Sequence, residues 1–400
     1  MENQQTPNRR DFIKDSLSLG LLSIAHYTPF PSPLSLPNEV TEKIKTTPFR
    51  CPPYLQKPTP HSIVIQWINS FPMSSWVAYG EKKSLGMKAY PIRHGQVAPA
   101  QELIKIKIKQ LKPNTRYYYK AFAQIPQKKQ SKTSIISSEL KSFRTPSILP
   151  ENATVAIMNH TEDAQFPLHK DTQLVLFNGG LLRQAQSNHD IIRQFVQPAA
   201  QTLEGIIPFA TSRAREELQT SALNEDFHRY VTNPQDRYYF VHQIEPLFLL
   251  VLDSSISDIQ EAETEENSYI KETYMETQAD WLEKMMRSPT YQQSTFKVVI
   301  LSTPVNTINI YEQKLFYPLF DKYKIDLLIT GGTTKKQFLT YLKTDRYPTL
   351  TTHTVLHPQT TTYLLADKKQ LAIKIEGKKR KIIDVRHIKK DSLKRESSFI

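Results

Sequence analysis

Cysteine is almost absent from this chain: Cys51 is the single one in 400 residues. One cysteine excludes an intrachain disulfide and any Cys-rich zinc site. The TPFR before it lacks the small and apolar residues of a lipoprotein anchor, so Cys51 is expected to be a buried, unreactive thiol. Glycine is scarce as well, with 10 residues against 27 prolines, and hydrophobic residues make up 39%. This composition belongs to a soluble globular protein with room for two domains, not to a fibrous or disordered one. Beyond the N-terminus, no run is long and apolar enough for a transmembrane helix.

A more consequential absence is local. Four stretches read as buried strands running into polar loops: ATVAIMNHTED (153–163), QLVLFNGGLL (173–182), FKVVILSTP (296–304) and IDLLITGGTTKK (325–336). In open α/β folds, chemistry gathers in the loops at the carboxyl ends of such strands. Here those ends offer Asn159, Gly179-Gly180, Ser302 and Gly331-Gly332-Thr333-Thr334. A two-metal centre needs carboxylates and imidazoles at these places.

Charge of one sign is in excess, with a formal net charge of +13. No zinc-ligand spacing or RNA-binding signature accompanies it, so a nucleic-acid role is not expected. A basic surface also suits anionic glycans or phospholipid headgroups. Residues 8–14 read NRRDFIK and precede the short apolar run LSLGLLSIA (17–25). Paired arginines before a short apolar run fit a twin-arginine export signal, with cleavage after Ala25. Residues 1–25 are therefore read as a signal and 26–47, rich in Pro, Ser and Thr, as a linker. The expected location is periplasmic or secreted.

Residues 48–147 alternate short strands with turns: HSIVIQWINS, SSWVAYGEK, ELIKIKIKQL, NTRYYYKAFA and SELKSFRTP. The period-2 pattern of IKIKIKQL marks a half-buried strand. Together they predict a small β-sandwich with Trp67 and Trp76 in its core. From about 152 to 390, strands alternate with helices. Helical spacing appears over 186–203, over 276–288, and over 310–324, where Pro318 is a possible bend. Strands are expected at IIPFA (206–210), YYFVHQ (238–243) and PLFLLVLD (246–253), giving a layered α/β domain. The end of this domain reads as antiparallel strands turning near Asp367-Lys368 and Gly377-Lys378, and 391–400 as a tail. The acidic stretch 256–276 reads as a solvated loop or helix face, or as a clamp onto the basic surface.

PYLQKPTPHSIVIQW, SSWVAYGE and LKPNTRYYYK resemble the fibronectin-like N-terminal domain of purple acid phosphatases. The second half resembles the calcineurin-like metallophosphoesterase domain in order and spacing. The resemblance implies a fibronectin type III-like sandwich followed by layered mixed sheets flanked by helices. It also implies a dinuclear Fe, Zn or Mn centre. Matched to the family motifs, however, the ligand positions are replaced. Asp-x-His falls on Asn159-His160-Thr161, and Gly-Asp on Gly179-Gly180. Gly-Asn-His-Glu falls on Ala214-Arg215-Glu216-Glu217. The histidine before Thr303-Pro304 becomes Ser302, and Gly-His-x-His becomes Gly331-Gly332-Thr333-Thr334. Losing the bridging carboxylate at Gly180 leaves the repulsion between two cations unopposed, and Arg215 opposes a metal outright.

Two expectations follow. In one, the chain is a metal-free phosphatase-like protein that binds a partner protein or an anion such as phosphate, sulfate or an acidic glycan. Arg183, Arg213, Arg215, Lys335 and Lys336 would then face the old cleft. In the other, relocated ligands near the first two stations, namely His160, Glu162, Asp163, His169, Asp171, His189 and Asp190, sustain a phosphomonoester hydrolase. Binding through the sandwich, with the α/β domain as scaffold, is a third.

Overall fold

The computed structural model describes residues 49–125, 134–159, 168–182, 185–214, 227–254, 265–303, 308, 310–331, 339–340, 347–352 and 360–390. The signal, linker and tail expectations therefore lie outside the described residues, as does the acidic stretch up to residue 264.

The N-terminal domain is built from β1 (Phe49–Thr59), β2 (Ser62–Gly80), β3 (Met87–Ala89), β4 (Ile92–Arg93), β5 (Gln96–Val97), β6 (Gln101–Ile108), β7 (Arg116–Ile125), β8 (Ser134–Ser137) and β9 (Lys141–Arg144). The alternation in β6 works as expected: Ile104, Ile106 and Ile108 are buried while Lys105 and Lys107 point out. The two strands expected around Trp67 and Trp76 are one strand, β2, of 19 residues. Its first half pairs with β1 and β6, its second with β7 and β3, and the register shifts between Ile68 and Met73. Pro72 falls in that shift, where it has no ladder hydrogen bond to donate. The irregular middle lets one strand serve both layers of the sandwich. Trp67 fills the core with Leu55, Ile104, Tyr119 and Phe143. Trp76 does not join it. It is half-buried, stacked on Phe122 with ring centroids 5.4 Å apart. The expectation that both tryptophans are core is corrected here, since the strand's alternation puts Trp76 and Val77 on opposite faces.

The second domain carries β10 (Ala153–Met158), β11 (Leu174–Asn178), β12 (Phe209–Ser212), β13 (Phe240–Ile244), β14 (Leu247–Leu252), β15 (Phe296–Leu301), β16 (Leu327–Thr330), β17 (Leu339–Thr340), β18 (Thr349–Thr351), β19 (Thr361–Ala366), β20 (Gln370–Glu376) and β21 (Ile382–Lys389). They form two six-stranded sheets, in the orders β12-β11-β10-β19-β20-β21 and β13-β14-β15-β16-β18-β17. Strands β10 to β12 run parallel, as do β14, β15, β16 and β18. Continuous apolar runs such as LVLF and FLLVL suit strands covered on both faces. One core lies between the sheets, where Val155, Ile157 and Leu176 meet Leu249, Ile300 and Ile329.

Each outer face has its own cover. α3 (Glu265–Met286) and α5 (Ile310–Lys322) shield the second sheet, with the short α4 (Pro289–Gln293) between them. The chain stays helical through Pro318. On the first sheet lie α1 (Asn188–Ile191), a π-helical turn Ile192–Val196 and α2 (Gln197–Thr202). The widened turn precedes Pro198, which has no N–H and whose ring would crowd a regular α-helical carbonyl four residues back.

The sandwich docks on that same side. Cys51, Tyr54 and Ile68 share a core with Phe177, Phe195 and Phe209. Burial raises the Cys51 pKa, as a sealed thiol requires. Buried Gln66 donates to the carbonyls of Arg229 and Tyr230, and Gln56 accepts from the Thr232 amide. Gly205 has φ +63°, and a Cβ there would meet Pro53 O at 2.4 Å and the Tyr119 hydroxyl at 2.6 Å. Only glycine permits this approach.

Candidate functional site

The parallel strands of both sheets finish at one edge of the domain, and their ends meet. Asn178, last in β11, donates its side-chain amide to Leu301 O of β15 at 3.1 Å and accepts from Ser212 Oγ at 2.8 Å. Ser302 Oγ donates to the carbonyl of Arg213. Gly331 lies so close that an added Cβ would fall 1.6 Å from Ser302 O. An added Cβ at Gly179 would fall 2.6 Å from Ala214 Cβ and 3.0 Å from Ser302 Cβ. The ends of β11, β12, β15 and β16 are therefore in direct contact, tied sheet to sheet by short polar side chains.

The strongest electrostatic element at this edge joins β12 to β14. Arg213 and Asp253 are both buried, and Arg213 Nε and Nη2 reach Asp253 Oδ2 at 2.9 and 2.6 Å. Tyr274 on α3 donates to the same oxygen at 2.7 Å. The Arg213 guanidinium lies 3.8 Å over the Tyr238 ring. Desolvation works to lower the Arg213 pKa, and the Asp253 charge and hydrogen bonds outweigh it, leaving the pKa above its ordinary value. Gln278 holds the backbone of Asp253 on both sides, accepting from its N–H and donating to its carbonyl. Nothing in the sequence joins residues 213 and 253. Asp253 closes the apolar run PLFLLVLD and belongs to LVLDS (250–254), a retained piece of the family framework, and an acidic residue ending so apolar a strand is the one signal of a buried partner.

The structure brings together four of the expected stations: Gly179-Gly180, the chain after Arg213, Ser302 and Gly331. Asn159, at the end of β10 beside β11, has its side-chain oxygen buried with no hydrogen-bond partner among the described residues. Gly180 is exposed, at φ +69°. Thr161, Arg215, Glu216, Gly332 and Thr334 lie outside the described residues, as do Arg183, Lys335 and Lys336 of the anion-binding set. Arg213, the described member of that set, is the partner of Asp253.

Of the candidate relocated ligands, His160, Glu162 and Asp163 also lie outside. His169 pairs with the buried Glu376 at 3.1 Å and packs on Tyr363, ring centroids 4.2 Å apart. Asp171 and His189 are exposed. Asp190 is held by Ser187 and Arg193. Among the described residues, no group of three or more His, Cys, Asp or Glu side chains is placed to hold a metal ion.

The donor set at the strand ends can be tested against a dinuclear centre. Such a centre needs several carboxylates or imidazoles and space for two cations roughly 3.5–4 Å apart. The described ends supply amides, hydroxyls, glycine backbone and a single carboxylate, Asp253, which is already taken up by the buried Arg213 and by Tyr274. One unpaired amide oxygen at Asn159 does not make up the difference, so these residues do not fit the group.

No protein-family model matches the sequence, and neither does any curated protein. Solved structures do resemble the fold. A purple acid phosphatase, PPD1, from yellow lupin (Lupinus luteus) seeds superposes with a TM-score of 0.63 at 14% identity, over 85% of this chain and 74% of that one. A structure of PhoD gives a TM-score of 0.58 at 9% identity, over 87% of this chain and 93% of that one. At such identities the likeness shows the fold alone.

Proposed function

We propose, on the premise of a purple acid phosphatase-like metallophosphoesterase fold, that this protein is a metal-free, non-hydrolytic member of that architecture that works by binding. The observation that carries the reading is the closed edge. Asn178 and Ser302 spend hydrogen bonds tying the two sheets together, and Ser212 bonds Asn178 within the first sheet, where a two-metal site would need ligands and room. The buried Arg213–Asp253 pair supports it, since its positive member would repel a cation and its carboxylate is already bonded three times. What is bound is an anionic ligand or a protein partner, consistent with the +13 charge. Export through the twin-arginine signal at 1–25 is part of the same proposal. Among the described residues no helix is long and apolar enough to cross a membrane.

The test is a metal determination on purified protein, coupled to a phosphomonoester turnover assay with added Fe, Zn and Mn. The expected result is substoichiometric metal and no turnover above the buffer rate. Stoichiometric transition metal together with turnover would overturn the reading and favour the relocated ligands.

A further inference from the structure

A hydrogen-bond network at the contact between the sandwich and the α/β domain leads to the closed edge. Its link is the segment 227–233. This begins as a helical turn over 227–230, with the Val231 N–H donating to Phe227 O at 2.9 Å. The last carbonyls of a helix have no partner within it. Here the sandwich supplies partners. Gln66 of β2 donates its side-chain amide to Arg229 O and to Tyr230 O, each at 3.1 Å. The Tyr54 hydroxyl of β1 donates to Tyr230 O at 2.9 Å. Gln56 Oε1 accepts from the Thr232 N–H at 2.9 Å, and the Thr232 hydroxyl donates to Gln66 Oε1 at 3.4 Å. All three sandwich side chains are fully buried.

The next residue carries the contact onward. Asn233, also buried, accepts from the Thr211 N–H at 3.0 Å and donates to Thr211 O at 2.7 Å. Thr211 belongs to β12, which ends the strand order of its sheet among the described residues. An edge strand presents backbone groups on its outer side. At Thr211 the Asn233 amide takes both of them, as a peptide unit of a neighbouring strand does. Two residues further on is Arg213, whose carbonyl accepts from Ser302 and whose side chain pairs with Asp253. The sandwich also holds the chain at the start of β12. Tyr54 stacks on Phe209, ring centroids 5.6 Å apart, and the Tyr119 hydroxyl donates to Gly205 O at 2.7 Å.

We propose that the docked sandwich is the latch of the closed edge. Tyr54, Gln56 and Gln66 hold the strap 227–233, the strap holds the end of β12 through Asn233, and β12 holds Arg213 against Ser302 and Asp253. The strap's bonds break together, because a buried polar group left without its partner is costly and Gln66 alone serves three groups. Lifting the sandwich from the strap therefore frees the end of β12, and docking and closure form one local equilibrium. The latch rests on these contacts and not on whether the edge holds metal. Its test measures neither metal nor turnover.

Hydrogen–deuterium exchange of the full chain reads the latch directly. Gln66→Leu should speed exchange over both 227–232 and 209–214 by about tenfold, the effect of leaving buried carbonyls unpaired. Peptides 247–252 and 296–301, in the core of the second sheet, should keep their wild-type rates. Asn233→Ala should speed 209–214 alone and leave 227–232 protected, since it cuts the link beyond the strap. The double variant should exchange at 209–214 no faster than the faster single variant, because the two contacts act in series. Tyr54→Phe is the milder check. It keeps the ring on Phe209, removes one hydroxyl, and should reproduce the Gln66→Leu pattern at about threefold. Loosening of 227–232 with 209–214 unchanged overturns the proposal, as does equal acceleration of every peptide. Additive effects at 209–214 in the double variant overturn the serial link.

Discussion

At the scale of single residues, two buried groups decide most of what can be tested. Arg213 and Asp253 lie in a space where an unpaired charge is costly. Arg213→Met should destabilise the fold by about 3–5 kcal/mol, because it strands Asp253 without a counter-charge. Arg213→Met combined with Asp253→Leu should recover most of that loss. Urea unfolding of the three proteins measures it, and a double variant no more stable than the single one would show that the pair does more than balance charge. His242 is the second group. It is buried, its Nε2 has no hydrogen-bond partner among the described residues, and desolvation pushes its pKa down to about 4 from 6.5. Between these two values the unfolded chain holds a proton that the folded chain does not, so stability falls as pH falls. The full effect is on the order of 3 kcal/mol, lost between pH 6.5 and about 4. His242→Leu should flatten the stability profile across that window. An unchanged slope would place the titration elsewhere.

At the scale of elements, the glycines at strand ends do work that a sequence pattern does not show. Gly331 appears in the sequence as part of a polar Gly-Gly-Thr-Thr loop. In the fold it brings the end of β16 against the carbonyl of Ser302 after β15. Gly331→Ala should therefore cost about 3 kcal/mol, since the obstacle is backbone and cannot swing aside. Gly180→Ala should cost less, about 1 kcal/mol, because only the positive φ is strained and the space around it is open. Thermal unfolding of the two variants would rank them, and the reverse order would contradict the close contact at residue 331. Strand identity was largely legible. Period-2 alternation marked β6 and β7, and the unbroken apolar runs marked β11, β14 and β15. The continuity of β2 was not legible, because Phe71-Pro72 reads as a turn. Only pairing with partners on both sides keeps the chain extended through it.

At the scale of the whole molecule, the sandwich and the α/β domain share a core, and buried glutamines cross-link them. The docking face of the sandwich therefore belongs to the interior. The proposed export would act on the whole chain too. Replacing Arg9 and Arg10 together by Lys should hold a reporter fusion inside the cell, while unchanged export would rule out the twin-arginine route. The sequence by itself determined most of the longer strands, which of them are buried on both faces, and which residue types stand at their ends, because those follow from periodicity and local composition. Only the tertiary structure decided that those ends touch and bond to one another. Only it paired Arg213 with Asp253, forty residues apart, and set Gln66 against the backbone of Arg229 and Tyr230. Contacts of that kind depend on how two sheets and two domains pack, and no local pattern in a chain encodes a distance between residues far apart along it.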